Sequence, residues 1–410
     1  MTVTRRQVLR FLGSSLAAPA LLRTAAVEAA TPQLVKLGPL RKLDGAALSF
    51  DFGVPILAAL PAGGFAAAWT RSGDFLPFST RLRYYHVDGS ANGGQLVLTL
   101  SNGWGIPIAN ADGTALVVHA KGTVTGTRIA AQKISATHAK NGAPLLLSTY
   151  GGGAGRIPIA VRLKNGNIAA AWSTGPGGDV RGRVVSKLGV GVSPDASIFG
   201  STNDDEPVGI AALAGGGYVV GLRVQISSNS STQFRVQILS AAGAKVGSPI
   251  LLKAFPAHFP RYDRIGLGGL ANGGFVAVWV DDVGLNRVLR GRFFSATGTP
   301  GATFTVPHFK KHDELSVNPK VIVRANGQIV VFAQAAVSYS FGYNDSVVAH
   351  LLSATGAELG TPLQVDITTT EGVPATDLIA QKDGTLVAAW SRTDTATFHK
   401  QCFVQRLRVA

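Results

Sequence analysis

Cysteine and methionine are almost missing from this chain of 410 residues, which has one of each, Cys402 and Met1. A lone cysteine excludes an intrachain disulfide and any cysteine-based zinc or iron–sulfur centre. Charge is scarce as well, at 15% of residues, while 46% are hydrophobic. Disorder requires the opposite balance, so the chain folds. It is long enough to bury a core that needs no covalent staple. No stretch beyond the N-terminus reaches the roughly 18–20 uninterrupted apolar residues of a membrane-spanning helix. No transmembrane segment is therefore expected. The chain also lacks a Gly-x-Ser-x-Gly elbow, a His-Glu-x-x-His pair and a Walker loop. No catalytic residue can be assigned on a motif, and whether the chain is an enzyme stays open.

What is abundant is glycine, 50 residues, alongside 20 prolines. With so few charges, this composition suits short strands and tight turns rather than helices. Basic residues outnumber acidic ones 38 to 23, a formal charge of +15. Such a surface favours an anionic partner. Nucleic acid is not expected, because no Lys/Arg run exceeds three residues and no basic stretch is interleaved with aromatics.

The N-terminus reads as an address. Thr4-Arg5-Arg6-Gln7-Val8-Leu9-Arg10 is followed by an apolar run from Phe11 to Leu22 and then by small residues. This resembles a twin-arginine signal peptide, residues 1–30, with Val27-Glu28-Ala29 fitting cleavage after Ala29 and with Ala26 and Ala30 as alternatives. The resemblance implies a soluble periplasmic or secreted protein that meets the twin-arginine translocase during export. Removing residues 1–29 takes away a charge of +3.

The rest, 31–410, is repetitive. A turn residue, a glycine, one spacer and an apolar run recur with the glycine at 63, 113, 166, 216, 273, 327 and 384. Six residues after each glycine stand Trp69, His119, Trp172, Leu222, Trp279, Ala333 and Trp390. Asn-Gly and Asp-Gly favour two-residue type I′ turns, so each anchor is read as the tip of a hairpin joining strands A and B. Third strands such as Gln233–Leu239 end in a second short turn, Ser240-Ala241-Ala242-Gly243, before a fourth strand. Seven such units of roughly 50 residues predict an all-β, seven-bladed β-propeller of four-stranded antiparallel blades. The tryptophans, and His119 in their register, are expected to be buried. The last repeat ends after its third strand, Gln401–Arg408. Residues 31–38 are expected to close the ring as the fourth strand of that last blade, which removes free sheet edges. Gly63-Gly64-Phe65 with Trp69, and Gly273-Gly274-Phe275 with Trp279, resemble the Gly-Gly-Phe-Val-Val-x-Trp repeats of large secreted bacterial surface proteins. That resemblance implies the fold and transfers no site residues.

In such blades the B–C and D–A loops share one end, and these are the longer and more varied loops. Their polar content gathers in repeats 4 to 6. The candidate binding residues are Asp204, Asp205, Tyr262, Asp263, Asp281, Asp282, His308, His312 and Tyr343. His308 and His312 have a spacing that could hold a metal on a helix, but Lys310 and Lys311 between them repel a cation. Neither a metal nor a cofactor is expected. The acidic groups could instead supply an acid and a base for sugar cleavage, or be solvated loop charges that touch a ligand. Gly151–Gly155 opens a strand and is not read as a phosphate cradle. The leading expectation is an exported module that binds carbohydrate or a protein, with an anionic ligand as one reading of the basic charge and a surface that merely keeps the protein soluble as the other. The alternative is a hydrolase or lyase acting on acidic polysaccharide.

Overall fold

The computed structural model describes residues 31–43, 55–73, 76–100, 105–123, 126–149, 158–175, 178–201, 204–226, 231–255, 264–283, 286–306, 318–339, 342–368, 376–393 and 400–410. Within residues 32–410 it holds seven four-stranded sheets. Every strand pairing is antiparallel, and each sheet is one blade of a seven-bladed propeller. Among the described residues no helix is long and apolar enough to cross a membrane.

The innermost strands, A, are Ile56–Ala59, Gly105–Ala109, Ile159–Arg162, Asp205–Ala212, Gly266–Gly269, Lys320–Val323 and Thr376–Ala380 in blades 1 to 7. Residues of all seven line one central cavity. Strand B is the most deeply buried. In blade 3 it is Ile168–Ser173, and all six of its residues are buried. A strand covered on both faces by neighbouring blades has no solvent side, so it reads as an apolar run rather than an alternation.

The in-register tryptophans fill the seams between blades. Trp69, Trp172, Trp279 and Trp390 are at most 3% exposed. Trp69 sits in one core cluster with Val387 and Ala389 of blade 7. Trp172 packs with Leu116 and Val118 of blade 2, and Trp279 with Phe234 of blade 4. Trp390 meets the Phe332 ring of blade 6 edge-on at 6.4 Å. His119, in the same register, is fully buried, its Nδ1 lies 3.1 Å from the Ala120 carbonyl, and burial lowers its pKa.

The ring closes as expected. Leu34–Lys42 pairs antiparallel with Lys400–Val409, Leu34 opposite Val409 and Leu37 opposite Arg406. Gln33 and Ala410 extend the ladder by exchanging backbone hydrogen bonds at 3.2 and 2.8 Å. The strand runs on past a bulge to Lys42, further than the sequence indicated.

The A–B turns need a correction. A type I′ turn would give positive φ to the Asn or Asp as well as the Gly, but the one non-glycine with positive φ among the described residues is His138. Instead the Gly N–H bonds back to the residue three before it, as Gly327 does to Arg324 at 2.9 Å, and only Gly is left-handed. These are three-residue loops, a type I turn followed by a glycine bulge. The Asn or Asp is selected for another reason: its side chain accepts the N–H two residues on, as in Gly274 to Asn272 and Thr385 to Asp383.

A second periodic device holds the outer strands. The outer C–D pairs are bulged in most blades, and bulges leave carbonyls unpaired. In six of the seven blades one strand-C side chain donates to a carbonyl of this outer pair or its turn. Arg83 bonds the Gly93 carbonyl, Gln132 that of Gly142, Arg183 that of Ser193 and Arg292 that of Gly301. Gln237 reaches Val246 and Gly247, and Gln405 reaches Leu37 and Gly38 of the closing strand. In blade 6, His350 meets Glu358 Oε1 at 2.8 Å in the corresponding place.

Candidate functional site: the loop end of the central channel

Strand A is the terminal strand of every sheet. One edge of its backbone therefore has no strand to pair with and faces the channel. Glycines bring neighbouring A strands close: a Cβ on Gly209 would lie 2.3 Å from the Ile265 carbonyl oxygen, and one on Gly269 2.2 Å from that of Ala212. The channel these strands enclose has a volume of about 870 Å³. Its wall is aliphatic along most of its length, with Ile56, Ile108, Val161 and Ile210 among its residues.

Polar groups concentrate at the end where the A strands begin, which the B–C and D–A loops share. Thr376, Asp377, Asn318, Lys320 and Arg264 line the channel there. The Asp377 carboxylate accepts the Leu57 backbone N–H at 2.7 Å and lies 3.2 Å from Lys320 Nζ. It thus ties blades 6, 7 and 1 together. The Thr376 hydroxyl donates to the Asn318 carbonyl at 2.6 Å. Further from the axis Glu206 pairs with Arg223 at 2.5 Å, and Asp366 accepts both Trp390 Nε1 and Arg392. At the other end Arg162 donates to the Ala109 carbonyl at 2.8 Å, and Lys382 lines the wall.

The expected site residues divide. Asp205 is not on a loop but opens strand A of blade 4 and is fully buried. It accepts the Ser201 N–H at 2.9 Å and the Ser201 hydroxyl at 3.0 Å. Burial raises its pKa to about 6 against those hydrogen bonds, with Asp179 and Asp204 adding repulsion. Asp204 precedes it and is half-buried. Asp281 is on strand B of blade 5, Phe275–Val283, and is buried between Lys253 Nζ at 2.6 Å and Arg290 Nε at 2.7 Å. It is engaged in holding blade 4 to blade 5. Asp282 and Tyr343 fall in strands, Tyr343 in Gly342–Leu352, but their side chains lie outside the described set. Tyr262, Asp263, His308 and His312 lie outside the described residues altogether. Among the described residues no group of three or more His, Cys, Asp or Glu could hold a metal ion.

Sequence reasoning missed Arg264, Asn318, Lys320 and Asp377. They stand at the foot of the A strands, next to loop segments whose richer polar content drew attention. The available signal was their position: each falls at or within two residues of the start of an A strand that is otherwise apolar.

No protein-family model matches the chain, and no curated protein is similar to it in sequence. Solved structures do share its fold. The polysaccharide lyase Uly1 superposes with a TM-score of 0.59 at 11% identity, covering 91% of this chain and all of the other. A PL25 ulvan lyase, solved bound to -[GlcA(1-4)Rha3S]-, gives 0.51 at 10% identity over 85% of this chain and 93% of its own. A protein of unknown function from Dyadobacter fermentans gives 0.50 at 12% identity over 91% and 100%. At such identities the likeness speaks for the propeller fold.

Proposed function

We propose that the chain is an exported module that binds carbohydrate, with acidic polysaccharide as its ligand class, at the loop end of the central channel. The observation that carries this reading is the concentration of fixed polar groups at that end, against an aliphatic channel wall. Asp377 with Lys320 lines the channel there, and Glu206 with Arg223, Asp281 with Lys253 and Arg290, and Asp366 with Arg392 are fixed outside the channel lining on blades 4 to 7. Sugar hydroxyls are recognised by such preset donors and acceptors, and the unpaired strand edges add backbone groups of both kinds. The net positive charge favours an acidic chain. The shared fold of two polysaccharide lyases, one bound to a uronate-containing saccharide, supports the same class. Export to the periplasm or beyond by the twin-arginine translocase is supported by Arg5, Arg6 and the apolar run that follows them.

A second reading, cleavage of that polysaccharide, is favoured by one group. Asp205, its pKa raised to about 6 by burial, is a carboxyl that holds a proton towards neutral pH, and, being fully buried against Ser201, it would act on a sugar only through a group that reaches the ligand. The test for both is a glycan array probed with residues 31–410, followed by incubation with each bound glycan. Binding without new reducing ends or unsaturated uronate supports the module, and turnover abolished by Asp205→Asn supports the enzyme. An array with no bound glycan overturns both.

A further inference from the structure

Arg264 is the odd group at the loop end. It stands two residues before strand A of blade 5, Gly266–Gly269, and lines the channel. It keeps part of its surface open, yet protein encloses it deeply enough for burial to lower its pKa. It forms part of the channel wall at this end. Among the described residues it makes no hydrogen bond and no ion pair. The Glu206 carboxylate attracts it, but Glu206 is bound to Arg223, whose own charge opposes Arg264. Among the described residues this corner thus sets two guanidinium groups, Arg264 and Arg223, beside the Glu206 carboxylate. A guanidinium carries five N–H donors in a fixed fork, and enclosing it without an acceptor is costly.

The adjoining blades of the same mouth show what satisfies such a place. There Asp377 sets its own carboxylate against a cation, Lys320, and a strand-edge amide, Leu57 N–H. At Arg264 no described residue supplies the equivalent acid. A second unsatisfied group stands two residues before the neighbouring A strand, Lys320–Val323. Asn318 lines the channel, and its Oδ1 is a buried acceptor with no donor. The two strands are close here, since a Cβ on Gly266 would lie 2.9 Å from the Pro319 carbonyl oxygen. Among the described residues, a cation lacking an anion near an acceptor lacking a donor matches a ligand that bears a carboxylate and a hydroxyl together.

We infer that Arg264 is the seat for a uronate carboxylate of the ligand, with Asn318 Oδ1 taking a neighbouring hydroxyl, so that the channel mouth selects uronate-bearing chains over neutral ones. This rests on the carbohydrate reading above. Arg rather than Lys suits the place, because its planar fork meets both carboxylate oxygens. Sulfate offers a similar set of oxygens, and the experiment separates the two.

Isothermal titration calorimetry of residues 31–410 with tri-galacturonate and D-glucuronate, each beside its methyl ester, tests the assignment. The acid is expected to bind at least tenfold tighter than the ester, inorganic sulfate is expected not to displace it at equal concentration, and Arg264→Gln should reduce the preference to less than twofold. Arg264→Lys should retain part of it. Arg264→Gln should keep the wild-type melting temperature, because it removes a cation with no partner, so lost preference is not lost folding. Equal binding of acid and ester, a preference that survives Arg264→Gln, or displacement by sulfate overturns the assignment. Neutral glycans bound on the array with no acid preference would sink this inference alone. An array with no bound glycan would sink the carbohydrate reading with it.

Discussion

The Asp377 carboxylate accepts the backbone N–H of Leu57, 320 residues away in sequence, across the seam where blade 7 meets blade 1. With Lys320 on its other side, one carboxylate joins three consecutive blades at the inner rim. Asp377→Ala leaves a buried amide without an acceptor and Lys320 without its anion. Half-exposed Lys320 recovers water, so the loss is chiefly the charge-assisted hydrogen bond, about 2 kcal/mol. Asp377→Asn, which keeps an acceptor oxygen, should lose about half as much. Urea unfolding of the three proteins measures this, and equal stability of wild type and Asp377→Ala would refute the role.

The second seam is the outer one. Deleting residues 31–38 removes the ladder of Gln33 to Leu37 against Arg406 to Ala410 and exposes the edge of Lys400–Val409. It also uncovers Gln405, whose amide is held by the Leu37 and Gly38 carbonyls. The deletion should lower the melting temperature sharply and promote association through the bared edge. An unchanged melting temperature would mean that the ring is held elsewhere.

Trp390 separates packing from hydrogen bonding. Its ring fills the seam between blades 6 and 7, and its Nε1 donates to Asp366 at 2.9 Å. Trp390→Ala should destabilise by about 3–5 kcal/mol, as large aromatic truncations do. Trp390→Phe keeps most of the volume and leaves Asp366 to Arg392, for a loss of about 1–2 kcal/mol. If the two variants lose equal stability, the ring contributes little beyond its N–H.

The fold was legible because propeller blades repeat their requirements. Glycine at each A–B turn must be left-handed, and the tryptophan register marks a seam that each blade must fill, so both appear as periods in the sequence. The turn type was misread because Asn-Gly has two uses, the two-residue I′ turn and the three-residue loop with a glycine bulge, which share a left-handed Gly and differ in the φ of Asn and in loop length. The strand-C donors were equally periodic. Arg83, Gln132, Arg183, Gln237, Arg292 and His350 each stand three residues before the C–D turn, and Gln405 takes the corresponding place in the last third strand. Variation among Arg, Gln and His hid a role that needs only a donor of the right reach. The site was less legible. Asp281 reads as loop acid until Lys253 and Arg290, from other strands, are placed against it. Arg264 and Asn318, 54 positions apart in sequence, become neighbours only when two blades meet.

Asp205 gives the pH signature. Its pKa is raised in the folded protein to about 6 from an ordinary value of 3.8. The folded state therefore holds this proton more tightly than the unfolded chain does. Stability from this group is full below about pH 4 and is lost as pH rises towards about 6, where both states become ionised. The size is on the order of 3 kcal/mol, since each pKa unit corresponds to about 1.4 kcal/mol. Asp205→Asn removes the titration. It should flatten the decline in unfolding free energy between pH 4 and pH 6 relative to wild type, while Asp204→Asn, half-buried and next in sequence, should leave most of that decline in place. Urea unfolding of the three proteins at half-unit steps across this window checks it. Parallel curves for wild type and Asp205→Asn would show that burial does not hold the proton, and would remove the support for Asp205 as a proton-exchanging group in sugar cleavage.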